Sequence, residues 1–181
     1  ITSAGHTMRV DGALTMNSID PNIQGWTTSG LSGADGTLEL HGTINNNNDD
    51  NELTVNSIVI AESLTWNGYS PTVTNFTLNS DKTLTLGTIY TSGTALPTGN
   101  LNFGNATVTL NAGTTVAIGS GKSLITSGTV NANTTAAVTG GTWTIGGGTV
   151  DLSAMDGSTI TANMSVTGSA ILTNTFSGIF P

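Results

Sequence analysis

The chain has 181 residues, of which 8% are charged, and its three cations against eleven acids give a formal charge of −8. An acidic surface repels phosphate backbones and anionic headgroups, which argues against nucleic-acid partners, and no apolar run reaches the ~18 residues of a membrane helix, which argues against membrane insertion. There is no cysteine, so disulfides and thiolate metal sites are excluded.

In chain order, residues 1–35 read as an irregular N-terminal part. The Met8/Val10 alternation is followed by Asp20-Pro21-Asn22 and a Thr/Ser/Gly tract at 27–33. From 36 to 170 the texture is repetitive, a hydroxyl or amide residue alternating with an apolar one and then Gly, Asn or Asp. Thr37-Leu38-Glu39-Leu40, Ser63-Leu64-Thr65-Trp66 and Thr83-Leu84-Thr85-Leu86 are examples, as are Thr107-Val108-Thr109-Leu110 and Thr142-Trp143-Thr144-Ile145. Such period-two runs predict short strands with one buried face, and Gly or Asn between them suits sharp corners. Residues 45–51 and 67–72 read as loops, and 171–181 as an apolar C-terminal tail. The best helical stretch, 61–66, lacks a periodic stripe and runs into Asn67-Gly68, so helix content is expected near nil.

Apolar positions also recur at long range, from Leu84 to Leu101, Val108 to Leu124, Leu124 to Trp143 and Trp143 to Ile160. These steps are roughly 16 to 19 positions each, a spacing that fits one turn of a β-solenoid. The predicted fold is therefore a single all-β domain over 1–181, a parallel β-solenoid with Gly/Asn corners. A jelly-roll β-sandwich completed by donor-strand exchange is the alternative, because it uses the same alternating strands in antiparallel pairing.

The Thr-Leu-Thr-Leu-Gly texture, densest in Gly140-Gly141-Thr142-Trp143-Thr144-Ile145-Gly146-Gly147-Gly148, resembles the β-helical passenger regions of bacterial autotransporters and two-partner-secreted adhesins. The likeness spans about 36–170 and implies an extracellular rod used for adhesion or assembly. Opening at Ile1, the chain reads as a secreted product after signal-peptide removal or as a segment of a longer one. The expected location is extracellular or at the cell surface.

Residues that carry chemistry are few. His6 and His41 lie far apart and no nucleophile elbow or zinc-protease motif is present. Arg9, Lys82 and Lys122 stand apart in sequence, the two lysines at strand entrances where they read as solubilising residues. No catalytic set emerges, and the chain is expected not to be an enzyme. Asp49, Asp50 and Glu52 supply hard oxygen ligands and form a candidate calcium site, the one cofactor considered, although their spacing departs from known calcium loops. Gly119-Ser120-Gly121-Lys122-Ser123 is a tight corner and not a phosphate loop, since Val116 stands where its first glycine belongs.

Trp26 and Tyr69, set among loop residues, are candidate glycan contacts, whereas Trp66 and Trp143 alternate in phase with the core. Asn75, Asn105, Asn133 and Asn163 open Asn-x-Ser/Thr sequons and are candidate glycosylation sites. The Thr pairs Thr83/Thr85, Thr107/Thr109 and Thr142/Thr144 do not recur at a whole number of turns, so they predict no single flat hydroxyl array. The leading functional expectation is a structural subunit of an extracellular filament or surface layer. It would self-assemble through apolar ends formed by Ile1, Met8, Val10, Phe176, Ile179 and Phe180, with a second copy of itself as partner. An adhesin or carbohydrate-binding rod with glycan partners is the alternative, and a polysaccharide lyase or hydrolase the third.

Overall fold

Alternating β-branched hydroxyl and aliphatic residues make strands whose two faces differ in polarity, and such strands pair wherever the apolar faces can stack. A computed structural model describes residues 7–16, 36–46, 53–89, 100–133, 135–154 and 160–173, and they form short strands without any helix. The first coil holds β1 (Thr7–Val10) and β2 (Leu14–Met16), the second β3 (Thr37–Leu40) and β4 (Ile44–Asn46), the third β5 (Thr54–Ile60) and β6 (Leu64–Gly68). The fourth has described strands on three sides: β7 (Thr72–Leu78), β8 (Thr83–Ile89) and β9 (Asn100–Asn102). Next come β10 (Thr107–Leu110), β11 (Thr115–Ala117) and β12 (Ser123–Thr126), then β13 (Val130–Ala132), β14 (Ala137–Thr139) and β15 (Thr142–Ile145). Finally β16 (Gly148–Asp151) and β17 (Asn163–Val166) precede β18 (Ala170–Thr173).

Equivalent strands of successive coils stack into three sheets. An eight-stranded sheet runs β1-β3-β5-β7-β10-β13-β16-β18, a six-stranded one runs from β2 to β14, and a four-stranded one from β9 to β17. Every strand pairing among the described residues is parallel. That decides between the two expected architectures, because a jelly roll pairs its strands antiparallel. The protein is a parallel β-solenoid. The eight-stranded sheet crosses both boundaries expected from the sequence, taking in β1 before residue 36 and β18 after 170. Likewise Asn45 and Asn46, expected in a loop, belong to β4.

Register corrects the expected turn length. Val108 stands beside Val130, Val130 beside Val150 and Val150 beside Leu172. A three-sided coil therefore takes roughly 20 to 22 residues, within the range of stacked solenoid repeats. The step from Leu124 to Trp143 is a true stacking step. Leu84 and Leu101, however, lie on different sheets, as do Val108 and Leu124. Trp143 stacks on Met164, while Ile160 bridges to Val138. The three expected Thr pairs likewise fall on three different sheets, in β8, β10 and β15.

The inward residues form one continuous core, with Leu38, Ile58, Phe76, Val108, Val130 and Val150 in a single row. Trp66 meets Phe76 edge-on at 6.4 Å between ring centroids, and Phe76 lies 4.3 Å from Phe103. These rings sit where a third sheet begins among the described residues. Both core indoles satisfy their N–H groups, Trp66 on the Tyr69 carbonyl at 3.0 Å and Trp143 on the Thr126 hydroxyl at 3.1 Å. Burial of these large surfaces is the main stabilising term.

Several corners depend on glycine, Gly68 and Gly148 most plainly. Gly68 has φ 97°, and a Cβ there would run into the Asn46 carbonyl; this lets the chain turn through Tyr69, Ser70 and Pro71 straight into β7, omitting a third side. Gly148, with φ 75°, packs against the Gly128 carbonyl so closely that no side chain fits. At the corner between the first two sheets the left-handed residues are Asp81 (φ 60°), Gly113 (φ 74°) and Thr135 (φ 61°). The β-branched Thr135 holds this unfavourable conformation while its hydroxyl accepts the Gly113 N–H at 3.0 Å.

Candidate functional site: a charged corner and the open ends

Charge collects along one corner of the first four coils. Arg9 and Glu39 project from outward positions of β1 and β3, while Asp11, His41, Glu62 and Lys82 lie in the turns that follow the strands of this sheet. The Arg9 guanidinium bonds Asp11 at 2.5 Å and lies 3.9 Å from Glu39, which in turn meets His41 Nε2 at 2.5 Å. Lys82 donates to Glu62 at 2.7 Å. The hydrogen bond from Lys82, then its charge, holds the Glu62 carboxyl below its ordinary value, and Asp11 raises Arg9 further. Arg9, Asp11 and Glu62 are exposed, so the pairs Arg9–Asp11 and Lys82–Glu62 contribute little to stability, whereas His41 and Glu39 are half-buried.

As chemistry the corner is incomplete. His41 is oriented by Glu39, which is half of a relay, but among the described residues no nucleophile is bonded to the imidazole's other nitrogen. His6 lies outside the described residues. Among the described residues no group of three or more His, Asp or Glu side chains could hold a metal ion. Asp49, Asp50 and Glu52, the candidate calcium ligands, lie outside the described residues, as do Trp26, Ile1, Phe176, Ile179 and Phe180.

The remaining expected site residues are placed. Lys122 is no surface solubiliser: its ammonium reaches across coils to donate to the Leu86 carbonyl at 2.8 Å. Lys82, likewise, is engaged with Glu62. Tyr69 is half-buried in the tight link, and its carbonyl accepts both the Trp66 indole and the Asn46 amide (3.2 Å). Of the sequon asparagines, Asn75 is half-buried between Ser57 and Thr107 in its sheet. Asn105, Asn133 and Asn163 are exposed, at a turn, a corner and the first residue of β17.

The ends of the described stack carry the apolar surface. At one end Met8, Val10 and Leu14 pack on the core and have described neighbours on one side only, because β1 and β2 are edge strands. At the other, Leu172 continues the buried row after Val150 but is 37% exposed, with Ile171 at 66% and Val166 at 49%. The sequence names Met8 and Val10 as assembly residues and takes Ile171 and Leu172 only as the start of the 171–181 tail, while Val166 falls in the repetitive region. The signal for these is the resumption of the apolar run at Ala170-Ile171-Leu172, which reads as the start of a tail and is the last strand of the described sheet.

Comparison with known proteins finds no matching family model, no matching curated protein and no matching solved structure. The chain's own surfaces are what bear on function.

Proposed function

We propose that this chain is a non-enzymatic structural rod, a subunit of an extracellular filament or surface layer that self-assembles through its apolar ends. The observation that supports the reading is Leu172: an inward core position, aligned with Val108, Val130 and Val150, is left more than a third exposed. Burying such a side chain contributes about 1.5 to 3 kcal/mol, and the edge strands beside it offer backbone groups to any added strand. Outward faces rich in Thr, Ser and Asn, with little charge, suit a rod whose neighbours approach without strong repulsion.

Negative-stain imaging and light scattering of the purified protein, with and without calcium, test this reading. Filaments or sheets are expected, and Leu172→Asp should return them to monomers with a β-rich circular-dichroism spectrum. A protein that stays monomeric at high concentration under both conditions overturns it. A second reading, a surface adhesin or carbohydrate-binding rod, draws on the outward hydroxyl and amide rows such as Ser57, Asn75 and Thr107; a glycan array tests it.

A further inference from the structure

We infer that subunits add head to tail in one register, with the eight-stranded sheet running unbroken from Leu172 of one copy onto Met8 of the next; this rests on the filament reading above. Three observations lead there.

The first is the phase of the backbone. In a parallel strand, alternate residues aim N–H and C=O to opposite sides. The Leu152 N–H donates to the Thr173 carbonyl, so Thr173 and Ile171 face β16, and the polar groups of Leu172 and Ala170 face the other edge, where no strand pairs with them among the described residues. At the opposite end the His41 N–H donates to the Val10 carbonyl, so Val10 and Met8 face β3 and the groups of Arg9 and Thr7 face the edge that pairs with no strand among the described residues. Setting Leu172 beside Met8 of a second copy lets the Arg9 N–H donate to the Leu172 carbonyl and the Leu172 N–H donate to the Thr7 carbonyl. A slip by one residue loses both bonds and turns every side chain to the wrong face.

The second is the core row. Met8, Leu38, Ile58, Phe76, Val108, Val130, Val150 and Leu172 succeed one another in register, so the joint repeats inside the rod's own stacking and covers Leu172. The third is charge. The outward row beside it begins with Arg9, 59% exposed at its side chain, and ends with Asp151 and Thr173. Head-to-tail stacking sets the cation of one copy beside Thr173 and one coil from Asp151 of the other, whereas tail-to-tail pairing opposes like ends and requires antiparallel strands.

The described residues give this sheet eight strands, so a joint at Leu172 and Met8 advances the filament by eight strand spacings, about 38 Å at roughly 4.8 Å each. The chain contains no cysteine, so register can be read by crosslinking. In the double variant Arg9→Cys/Thr173→Cys the two positions face each other across the joint about 5 Å apart, within disulfide reach, while inside one copy they lie at opposite ends. Mild oxidation of assembled protein should give a ladder of covalent multimers on non-reducing gels. Thr7→Cys/Thr173→Cys, two residues out of register at more than about 7 Å, should not. Filaments of wild-type protein should show a helical rise equal to those eight spacings. Filaments with another rise, or a ladder from the control pair and not the test pair, overturn this register while leaving the filament reading intact. No assembly at all removes both.

Discussion

The coils before residue 90 and those after residue 100 solve the same packing problem with different corners. In the first part the described strands lie on two sheets, and between β6 and β7 the chain passes through Tyr69, Ser70 and Pro71 with no third side, so that Ser57 reaches its neighbour Asn75 by a shorter path than a three-sided coil needs. In the second, each full coil has three strands and its corners are closed by glycines such as Gly141 and Gly148. All the ion pairs among the described residues belong to the first part. Side-chain amides also tie its coils together: Asn67 donates to Asn45 at 2.9 Å, and Asn45 to Thr15 at 3.2 Å. What the parts share is the inward apolar row. Stacking therefore requires the row alone, and the outline of the cross-section is decided by whatever each corner can accommodate.

The sharpest way to break the comparison is at the rings that join the two parts. Phe76→Ala removes the contacts with Trp66 and Phe103 at once and should cost about 3 to 5 kcal/mol. In a stack where each coil contacts only its neighbours, weakening one interface lets the sides melt separately. Thermal unfolding followed by hydrogen exchange should then show two transitions in place of one; a single cooperative loss would mean that the parts are not distinct units.

A smaller effect is expected at the glycine corner. Gly148→Ala puts a methyl group against the Gly128 carbonyl at a left-handed residue, and it should destabilise the protein by roughly 2 kcal/mol, with early exchange confined to the later coils. Spread of that early exchange into residues 53–89 would count against separate corner solutions. Thr135→Asn works in the opposite direction. Asparagine tolerates the left-handed conformation and keeps an acceptor for the Gly113 N–H, so a gain of about 1 kcal/mol is expected in chemical denaturation.

The least effect concerns acid. Glu62 is held below its ordinary value chiefly by Lys82, and Asp151 by hydrogen bonds from Ser153. A carboxyl whose folded value is depressed stabilises the protein above its unfolded value, about 4, and that contribution fades as pH falls through the folded one. Glu62→Gln should flatten the acid dependence of exchange in residues 53–89 and leave that around Asp151 unchanged. An equal change at both places would show that the ion-paired corner is not local.

Strands and burial were legible in the sequence because alternation has one meaning here. Trp66 and Trp143 alternate in phase with the core and are fully buried, and Thr107-Val108-Thr109-Leu110 is a strand with Val108 and Leu110 inward. Stacking partners were not legible from spacing. With three similar strands per coil, two residues two sides apart are separated by nearly as many positions as two residues stacked one coil apart, so Val108 and Leu124 are spaced like stacked residues while lying on different sheets. The role of Lys122 was hidden for a related reason: its acceptor, the Leu86 carbonyl, is 36 residues away on another coil, and a backbone carbonyl has no sequence signature. Of the candidate end surface, Met8 and Val10 were readable from their alternation. Leu172 was not, because its exposure depends on which strand comes last in the stack.

The bonds between coils, such as Ala61 N–H to Leu40 carbonyl and Asn133 N–H to Leu110 carbonyl, run along the rod's long axis. Tension applied between the ends therefore pulls each ladder open from an edge instead of shearing it whole. Coils should peel one after another, and each released three-sided coil yields roughly 70 Å of slack chain. Under load such a rod would lengthen in a series of small, separately recoverable steps, behaving as a shock absorber.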